Sequence, residues 1–143
     1  MMFAIDTVTL YIKHVDATTK KDVWTRVVLN GVLWTQKVVS GTDSNGTLQL
    51  THQTTVMIPV DVYAGTRAYK DPKDYLALTT VQRLSAWTLK KGDVMVLDEC
   101  AAVISDSYRI SKLKEDEDTY CNIVAVTDNT HRDMLNHWQV ELL

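Results

Sequence analysis

The feature that most constrains the fold is the density of β-branched residues, which stand in short alternating runs along the chain. Valine and threonine each occur 18 times among 143 residues, so these two types make up about a quarter of the sequence. Such residues favour the pleated, half-buried surface of a strand. In residues 7–13, Val8, Leu10 and Ile12 alternate with polar or amphipathic neighbours. This alternation predicts a first strand with one dry face, in a mainly antiparallel β domain.

Length and composition fit one globular domain over residues 1–143. The chain is 45% hydrophobic and 23% charged, and no internal repeat or linker divides it. A formal net charge of −3 argues against broad binding to nucleic-acid backbones or anionic membranes. The opening Met1-Met2-Phe3-Ala4-Ile5-Asp6 lacks the basic start and apolar run of a leader, and no stretch approaches a membrane span. We therefore expect a protein that is made and kept in the cytoplasm.

Turn signals divide the remaining strands. Asn30-Gly31 lies between apolar runs at residues 23–29 and 32–39, which fits either a hairpin or a bulge in one long strand, and both interpretations stay open. Residues 87–89 and 94–97 flank Lys90-Lys91-Gly92-Asp93 and predict a hairpin with glycine in its turn. Residues 122–127 and 137–142 predict two closing strands.

Two segments predict short helices. Asp71 suits the cap and Pro72 the first position of a helix that reaches Leu78. Ser105 or Asp106 is the candidate cap of a second helix that ends at Lys114, before the acidic run 115–118.

The most loop-like window is the polar run at residues 40–47. We expect Leu48 to His52 to extend it as a β-arm and Gln53 to Pro59 to return as a strand. An ordinary hairpin tip would have the same pattern, so both interpretations of the window stay open.

No motif for catalysis, a cofactor or a metal is present. The chain has no glycine-rich phosphate loop, no G-x-S-x-G elbow, and no pair of histidines spaced to share a helix face. Asp98-Glu99 fits a solvated strand end. The one thiol candidate, Cys121 with His131 or His137 as base, has strand-like neighbours that favour a packed cysteine, as does the isolated Cys100. We therefore predict no enzyme activity and no cofactor.

The tryptophans lie within or beside predicted strands, where aromatic rings with basic neighbours sometimes stack on bases. The overall charge is negative and no basic stripe repeats, so packing in the core or in a subunit interface is favoured. The four residues are Trp24, Trp34, Trp87 and Trp138.

A series of short structural motifs spans the chain: Val8-Thr9-Leu10-Tyr11, Gly31-Val32-Leu33-Trp34, Val56-Met57-Ile58-Pro59, Asp71-Pro72-Lys73-Asp74-Tyr75, Trp87-Thr88-Leu89 with Gly92-Asp93-Val94, Val126-Thr127-Asp128-Asn129 and His137-Trp138-Gln139-Val140. Together they resemble small proteins encoded in the head-and-connector region of tailed phages and prophages of Gram-positive hosts. Such proteins are minor capsid or head–tail joining proteins. The resemblance runs from about Val8 to Val140, and none of its motifs is catalytic.

The resemblance implies a mainly β fold, a small antiparallel β-barrel or sandwich with one or two short helices. It also implies a non-enzymatic virion protein of the neck, in a ring of copies with portal or adaptor and tail proteins as partners. Strand addition from an arm to a neighbour's sheet edge would join such subunits through backbone hydrogen bonds. The candidate contact residues in this arm are Ser40, Asp43, Asn45, Leu48, Leu50, His52 and Gln53.

Other functions stay open. A tail-completion protein would leave the same sequence traces as a connector. A soluble intracellular β-barrel that binds another molecule, with nucleic acid as one candidate ligand, is the main alternative, and a small hydrolase that uses Cys121 and a histidine is a third.

Overall fold

The computed structural model describes residues 4–143, apart from the side chain of residue 39, and its main feature is a closed six-stranded barrel. The strands are β1 (Asp6–Val15), β2 (Asp22–Thr42), β3 (Leu48–Pro59), β4 (Ala68–Tyr69), β5 (Ala86–Trp87), β6 (Val94–Leu97), β7 (Cys121–Asn129) and β8 (His137–Leu142). The helices in this part of the chain are α1 (Pro72–Ala77), α2 (Thr80–Arg83) and α3 (Ile110–Asp116).

The barrel strands follow the order β1-β2-β3-β8-β7-β6, and each neighbouring pair is antiparallel. The predicted mainly β fold with an antiparallel barrel is therefore confirmed, and closure of the sheet excludes the sandwich. None of the helices in residues 4–143 has the length and apolar character needed to cross a bilayer. The expectation that the chain carries no leader depends partly on Met1 to Phe3, and these three residues lie outside the described part of the chain.

Asn30-Gly31 is a bulge within one long strand rather than a hairpin turn. β2 runs from Asp22 to Thr42, and its register with β1 shifts where Asn30 pairs with Thr7 and Val32 with Asp6. Gly31 has φ +95°, a left-handed conformation that favours glycine. Because the bulge keeps the strand continuous, β2 can pair with β1 over its first half and with β3 over its second.

β1 is buried on both faces, so the prediction of a single dry face is wrong. Val8, Leu10 and Ile12 point into the barrel, as the alternation indicates, but Thr9 and Tyr11 on the opposite face are also fully buried. A second small core covers that opposite face, with Tyr11 and Leu113 among its members. Residues 98–120, which leave the barrel after β6 and return at β7, pack on Tyr11 of β1 and on Val94 and Val96 of β6 to form it.

Polar contacts attach residues 98–120, which we call the cover segment, to the outer wall of the barrel. The Thr9 hydroxyl accepts a hydrogen bond from the Cys100 N–H at 2.8 Å and donates one to the Asp98 carbonyl at 2.9 Å. The Tyr11 hydroxyl donates to the Ala102 carbonyl at 2.7 Å. Outward-facing residues of β1 thus satisfy backbone groups of a segment without strands.

Several local predictions require correction. The segment after Trp87 does not form a hairpin with β6, because β5 pairs in parallel with β4 while β6 lies between β1 and β7. Neither Ser105 nor Asp106 caps a helix, because residues 105–108 form a turn and α3 begins only at Ile110. α3 extends to Asp116, where Lys112 pairs with the carboxylates of Glu115 and Asp116.

The loop-like window is shorter than predicted, because Ser40 to Thr42 belong to β2 and Leu48 to Pro59 form one continuous strand, so that only residues 43–47 make the turn. Other local predictions are confirmed at least in part. β7 and β8 are the predicted closing strands. α1 begins at Pro72 after Asp71, although the Asp71 side chain makes no capping bond. α2 was not predicted, and its signal is a capping box formed by Thr79 and Gln82.

Candidate functional site: a projecting β-hairpin

β2 and β3 stay paired with each other beyond the wall of the barrel. β1 pairs with β2 as far as Val32, and β8 pairs with β3 only from Thr54 onward, whereas the β2–β3 pairing continues to Thr42 and Leu48. We call residues 35–53 the arm, whose free part is about 20 Å long at the usual rise of a strand. Within the described chain, both strands of the arm lack a second neighbour, so each presents an unpaired backbone edge.

The turn of the arm is organised by Asp43. Its Oδ1 accepts hydrogen bonds from the backbone N–H groups of Asn45 and Thr47, each at 2.9 Å. The Asp43 N–H donates to the Thr47 carbonyl, and the Gly46 N–H donates to the Asp43 carbonyl, both at 3.0 Å. Gly46 has φ +79°, which a glycine adopts without a steric penalty. The tip is therefore a hydrogen-bonded turn.

One face of the arm is an uncovered continuation of the barrel interior. Leu48 and Leu50 alternate in register with Thr54 and Val56, whose side chains are buried in the barrel. Val38 joins this face from β2, since it pairs with His52. Leu48 and Leu50 are 62% and 64% exposed, and Val38 is 54% exposed. The alternation typical of a core strand thus continues into the arm, where no other described residues cover the apolar side chains.

The opposite face is polar and is attached to β8 through Glu141. The Gln53 side chain donates to Glu141 Oε2 at 3.1 Å, and the Thr55 hydroxyl donates to the same oxygen at 2.9 Å. The Gln139 side chain donates to Oε1 at 3.0 Å. These bonds, that from Gln139 first, hold the pKa of Glu141 below its usual range. This network fixes the base of the arm against the barrel.

A groove of about 340 Å³ lies beside the base of the arm, along the free edge of β3. It begins where β8 stops pairing with β3, and its lining combines that edge with the ends of β7 and β8. The residues that line it are Thr51, His52, Gln53, Val124, Glu141, Leu142 and Leu143.

The seven residues singled out from the sequence all belong to the arm, but they occupy three different positions. Asp43 and Asn45 are in the turn, and Gln53 binds Glu141 at the base. The uncovered face of the arm carries the remaining four, Ser40, Leu48, Leu50 and His52. Sequence reasoning missed Val38 and the groove, because both depend on the register of β2 and β8 against β3.

The cysteines do not have the environment of an activated thiol. Burial raises the pKa of the half-buried Cys121, which keeps the thiol protonated at neutral pH. Cys100 is buried in the second core, where its Sγ lies 3.5 Å from Glu117 Oε1. No group of three or more histidine, cysteine, aspartate or glutamate side chains in residues 4–143 is placed to hold a metal ion.

All four tryptophans pack in or against one of the two cores, and Trp24 also lines a surface cleft. Trp87 and Trp138 are buried and pack with Tyr69, whose ring centroid lies 5.0 Å from that of Trp87 and 4.3 Å from that of Trp138. Trp34 packs partly against the main core. Trp24 lines a cleft of about 680 Å³ between the start of β2 and the cover segment.

Asp93 is a fully buried carboxylate that sequence reasoning placed only in a turn. Its Oδ1 contacts Lys90 Nζ and accepts a hydrogen bond from the Lys13 N–H at 3.0 Å. Oδ2 has no hydrogen-bond partner among the described residues. Burial outweighs these contacts and raises the pKa of Asp93 to about 6. Its position beneath a turn makes it a stability determinant rather than part of the arm.

Comparison with known proteins identifies a family. A profile described as a family of unknown function, DUF6751, matches residues 3–141. No curated protein and no solved structure matches the chain.

Proposed function

We propose that this chain, which belongs to the DUF6751 family of unknown function, is a non-enzymatic structural protein of a tailed-phage or prophage virion. It would belong to the head–tail connector or be a minor capsid component, a role that the resemblance between Val8 and Val140 supports. Its partners would be copies of itself in a ring, and portal or adaptor and tail proteins. Once the particle has assembled in the bacterial host cytoplasm, the protein would be located at the neck of the virion, at the interface of head and tail.

The observation that carries the proposal is the arm. A hairpin that leaves a closed barrel with two unpaired edges offers backbone donors and acceptors to another protein. Its uncovered face adds Val38, Leu48 and Leu50, apolar side chains that the arm exposes to solvent. Exposed apolar side chains beside free backbone edges are characteristic of surfaces that other proteins cover. An arm of this kind suits a protein whose task is assembly.

The environments of Cys121 and Asp93 support the same conclusion. A thiol nucleophile needs a lowered pKa and an adjacent base, whereas burial raises the pKa of Cys121. The buried Asp93 contacts Lys90 and a backbone N–H of β1, so its polar contacts lie within the fold. The environments of these two residues therefore favour a binding role over a catalytic one.

The direct test is peptide mass spectrometry on gradient-purified particles from the source strain after prophage induction. We expect peptides of this chain at a copy number similar to that of the portal protein. Absence from intact particles, with abundant protein free in the lysate, would refute the proposal.

A pair of matched variants tests the role of the arm. Leu50→Asp places a charge on the uncovered face, whereas Leu84→Asp changes an equally exposed leucine at the C-cap of α2; both leucines are 64% exposed. We expect Leu50→Asp to reduce incorporation into particles at least tenfold and Leu84→Asp to leave it unchanged. Equal incorporation of both variants would exclude the arm as the contact.

A second candidate function rests on the cleft beside Trp24. Lys21 and Arg109 line this cleft with the indole ring, which is the combination that single-stranded nucleic acid requires. Asp22 and Asp106 line it as well and reduce its positive potential, so we rank this function second. Binding to a single-stranded oligonucleotide that weakens steeply with salt and is lost in Trp24→Ala would favour it.

A further inference from the structure

The free edge of β3 lacks the features that keep exposed strands from pairing. Monomeric proteins protect such edges with lysine, proline or a bulge. Residues 48–53, Leu-Gln-Leu-Thr-His-Gln, contain no proline, glycine or formally charged residue at neutral pH, and their register with β2 has no shift. β2, by contrast, carries Lys37 and Gly41 along the other free edge of the arm.

We propose that the free chain forms a two-fold dimer in which the β3 edges of two copies pair antiparallel. In this arrangement Leu50 lies opposite Leu50 of the second copy, and Leu48 lies opposite His52 of the second copy. The arms would form a four-stranded sheet in the order β2, β3, β3 and β2.

Two constraints limit the register, and coverage of Leu48 selects among the registers that remain. Opposite residues in antiparallel strands point to the same face, so an even-numbered residue has to face an even-numbered one if the apolar faces of both arms are to coincide. The edge of β3 is available only up to Gln53, because Thr54 already pairs with Leu142 of β8. Pairing Leu50 with Leu50 satisfies both constraints and, unlike pairing Thr51 with Thr51, includes Leu48 in the paired stretch, which then runs from Leu48 to His52.

The direction of β8 excludes a head-to-tail pairing of arms along the β3 edge. If a neighbour pointed its arm in the same direction, its β2 strand would pair with β3 and run in the same direction as β8. The residues that precede the arm in that strand would then collide with β8 at Leu142. In the two-fold arrangement the strands run in opposite directions, so each barrel lies beyond the tip of the other arm and the two walls do not overlap.

The groove beside β3 supplies a complementary surface for the second copy. Leu48 of the second copy would lie opposite His52, which lines the groove with Val124 and Leu142. Pairing would therefore cover a leucine that is 62% exposed in the single chain. The paired strands carry no formal charge that would repel its counterpart.

The dimer does not depend on the proposed virion role. One strand pair makes an interface below the usual size for a permanent complex, so we expect a dissociation constant in the micromolar range or weaker. A partner that offers a longer strand could then displace the second copy.

Disulfide trapping tests the register in the full-length protein. We expect Leu50→Cys to form a covalent dimer under mild oxidation, because directly opposite residues lie about 5 Å apart between Cα atoms. Leu48→Cys is the control, since its equally exposed thiol would lie four residue positions, about 13 Å, from its counterpart. Cross-linking of Leu48→Cys instead of Leu50→Cys would overturn the register.

Sedimentation across a concentration series tests the dimer itself. We expect a monomer–dimer equilibrium in the wild type, at least a tenfold weaker association in Leu50→Arg, and no change in Leu84→Arg, which alters an equally exposed leucine away from the arm. A wild type that stays monomeric throughout would overturn the inference, as would equal weakening by both variants. A monomeric protein that still enters particles would refute the dimer and leave the virion role intact.

Discussion

Replacing Thr9 with valine tests whether the outer face of β1 holds the cover segment through hydrogen bonds. Valine has nearly the same shape as threonine, so the substitution leaves no cavity, but the hydroxyl bonds to the Cys100 N–H (2.8 Å) and the Asp98 carbonyl (2.9 Å) are lost. Thr9 is fully buried, so water cannot replace them without rearrangement. An unsatisfied buried backbone group costs about 1–3 kcal/mol, and two such groups give an expected loss of about 3 kcal/mol.

Urea unfolding followed by tryptophan fluorescence measures this loss. We expect Thr9→Val to lower the midpoint with little change in the slope, because the surface exposed on unfolding stays the same. Thr127→Val, at an exposed position of β7, is the matched control and should change the free energy of unfolding by less than about 0.5 kcal/mol. A Thr9→Val protein as stable as this control would refute the reasoning, because the two backbone groups would then have found other partners.

Two further predictions concern a buried acid and the turn of the arm. The pKa of Asp93 is raised to about 6 in the folded state from 3.8, so the folded protein binds its proton more tightly and stability falls by about 2 kcal/mol as the pH rises from 4 to 7. Urea unfolding across that range should show this slope in the wild type and a flatter one in Asp93→Asn; equal slopes would contradict the assignment. Asp43→Ala removes the acceptor of the Asn45 and Thr47 N–H groups and should speed amide exchange in the arm severalfold while changing global stability by less than about 0.5 kcal/mol. A large loss of global stability in Asp43→Ala would show that the arm is part of the cooperative core.

The alternation of apolar residues predicts the strands well, but it does not predict what covers them. Val8, Leu10 and Ile12 identify the inner face of β1, because burial inside a barrel imposes a period of two. The burial of Tyr11 depends on residues 98–120 folding back over the outer wall, a long-range contact without a local pattern. The same limit explains β5, whose parallel partner Ala68–Tyr69 has too few residues to show a strand pattern.

The arm was predictable in position but not in geometry. The polar window and the glycine at residue 46 indicate a hairpin tip, and the structure places a hydrogen-bonded turn there. How far the arm projects depends on where β8 stops pairing with β3, at Thr54. No residue near the arm encodes that limit, so the free edge and its groove could be found only from the folded chain.

The strand order of the barrel also has a consequence for how the chain folds during synthesis. β1, β2 and β3 are consecutive and can pair as soon as residue 59 has been made, whereas β3 waits for β8 and β1 waits for β6. Closure therefore joins segments that lie most of the chain apart, which predicts folding in milliseconds to seconds rather than microseconds. Until β8 has been synthesised, the partly formed sheet of β1, β2 and β3 has two unpaired edges. The chain is therefore most vulnerable to misassociation during that period.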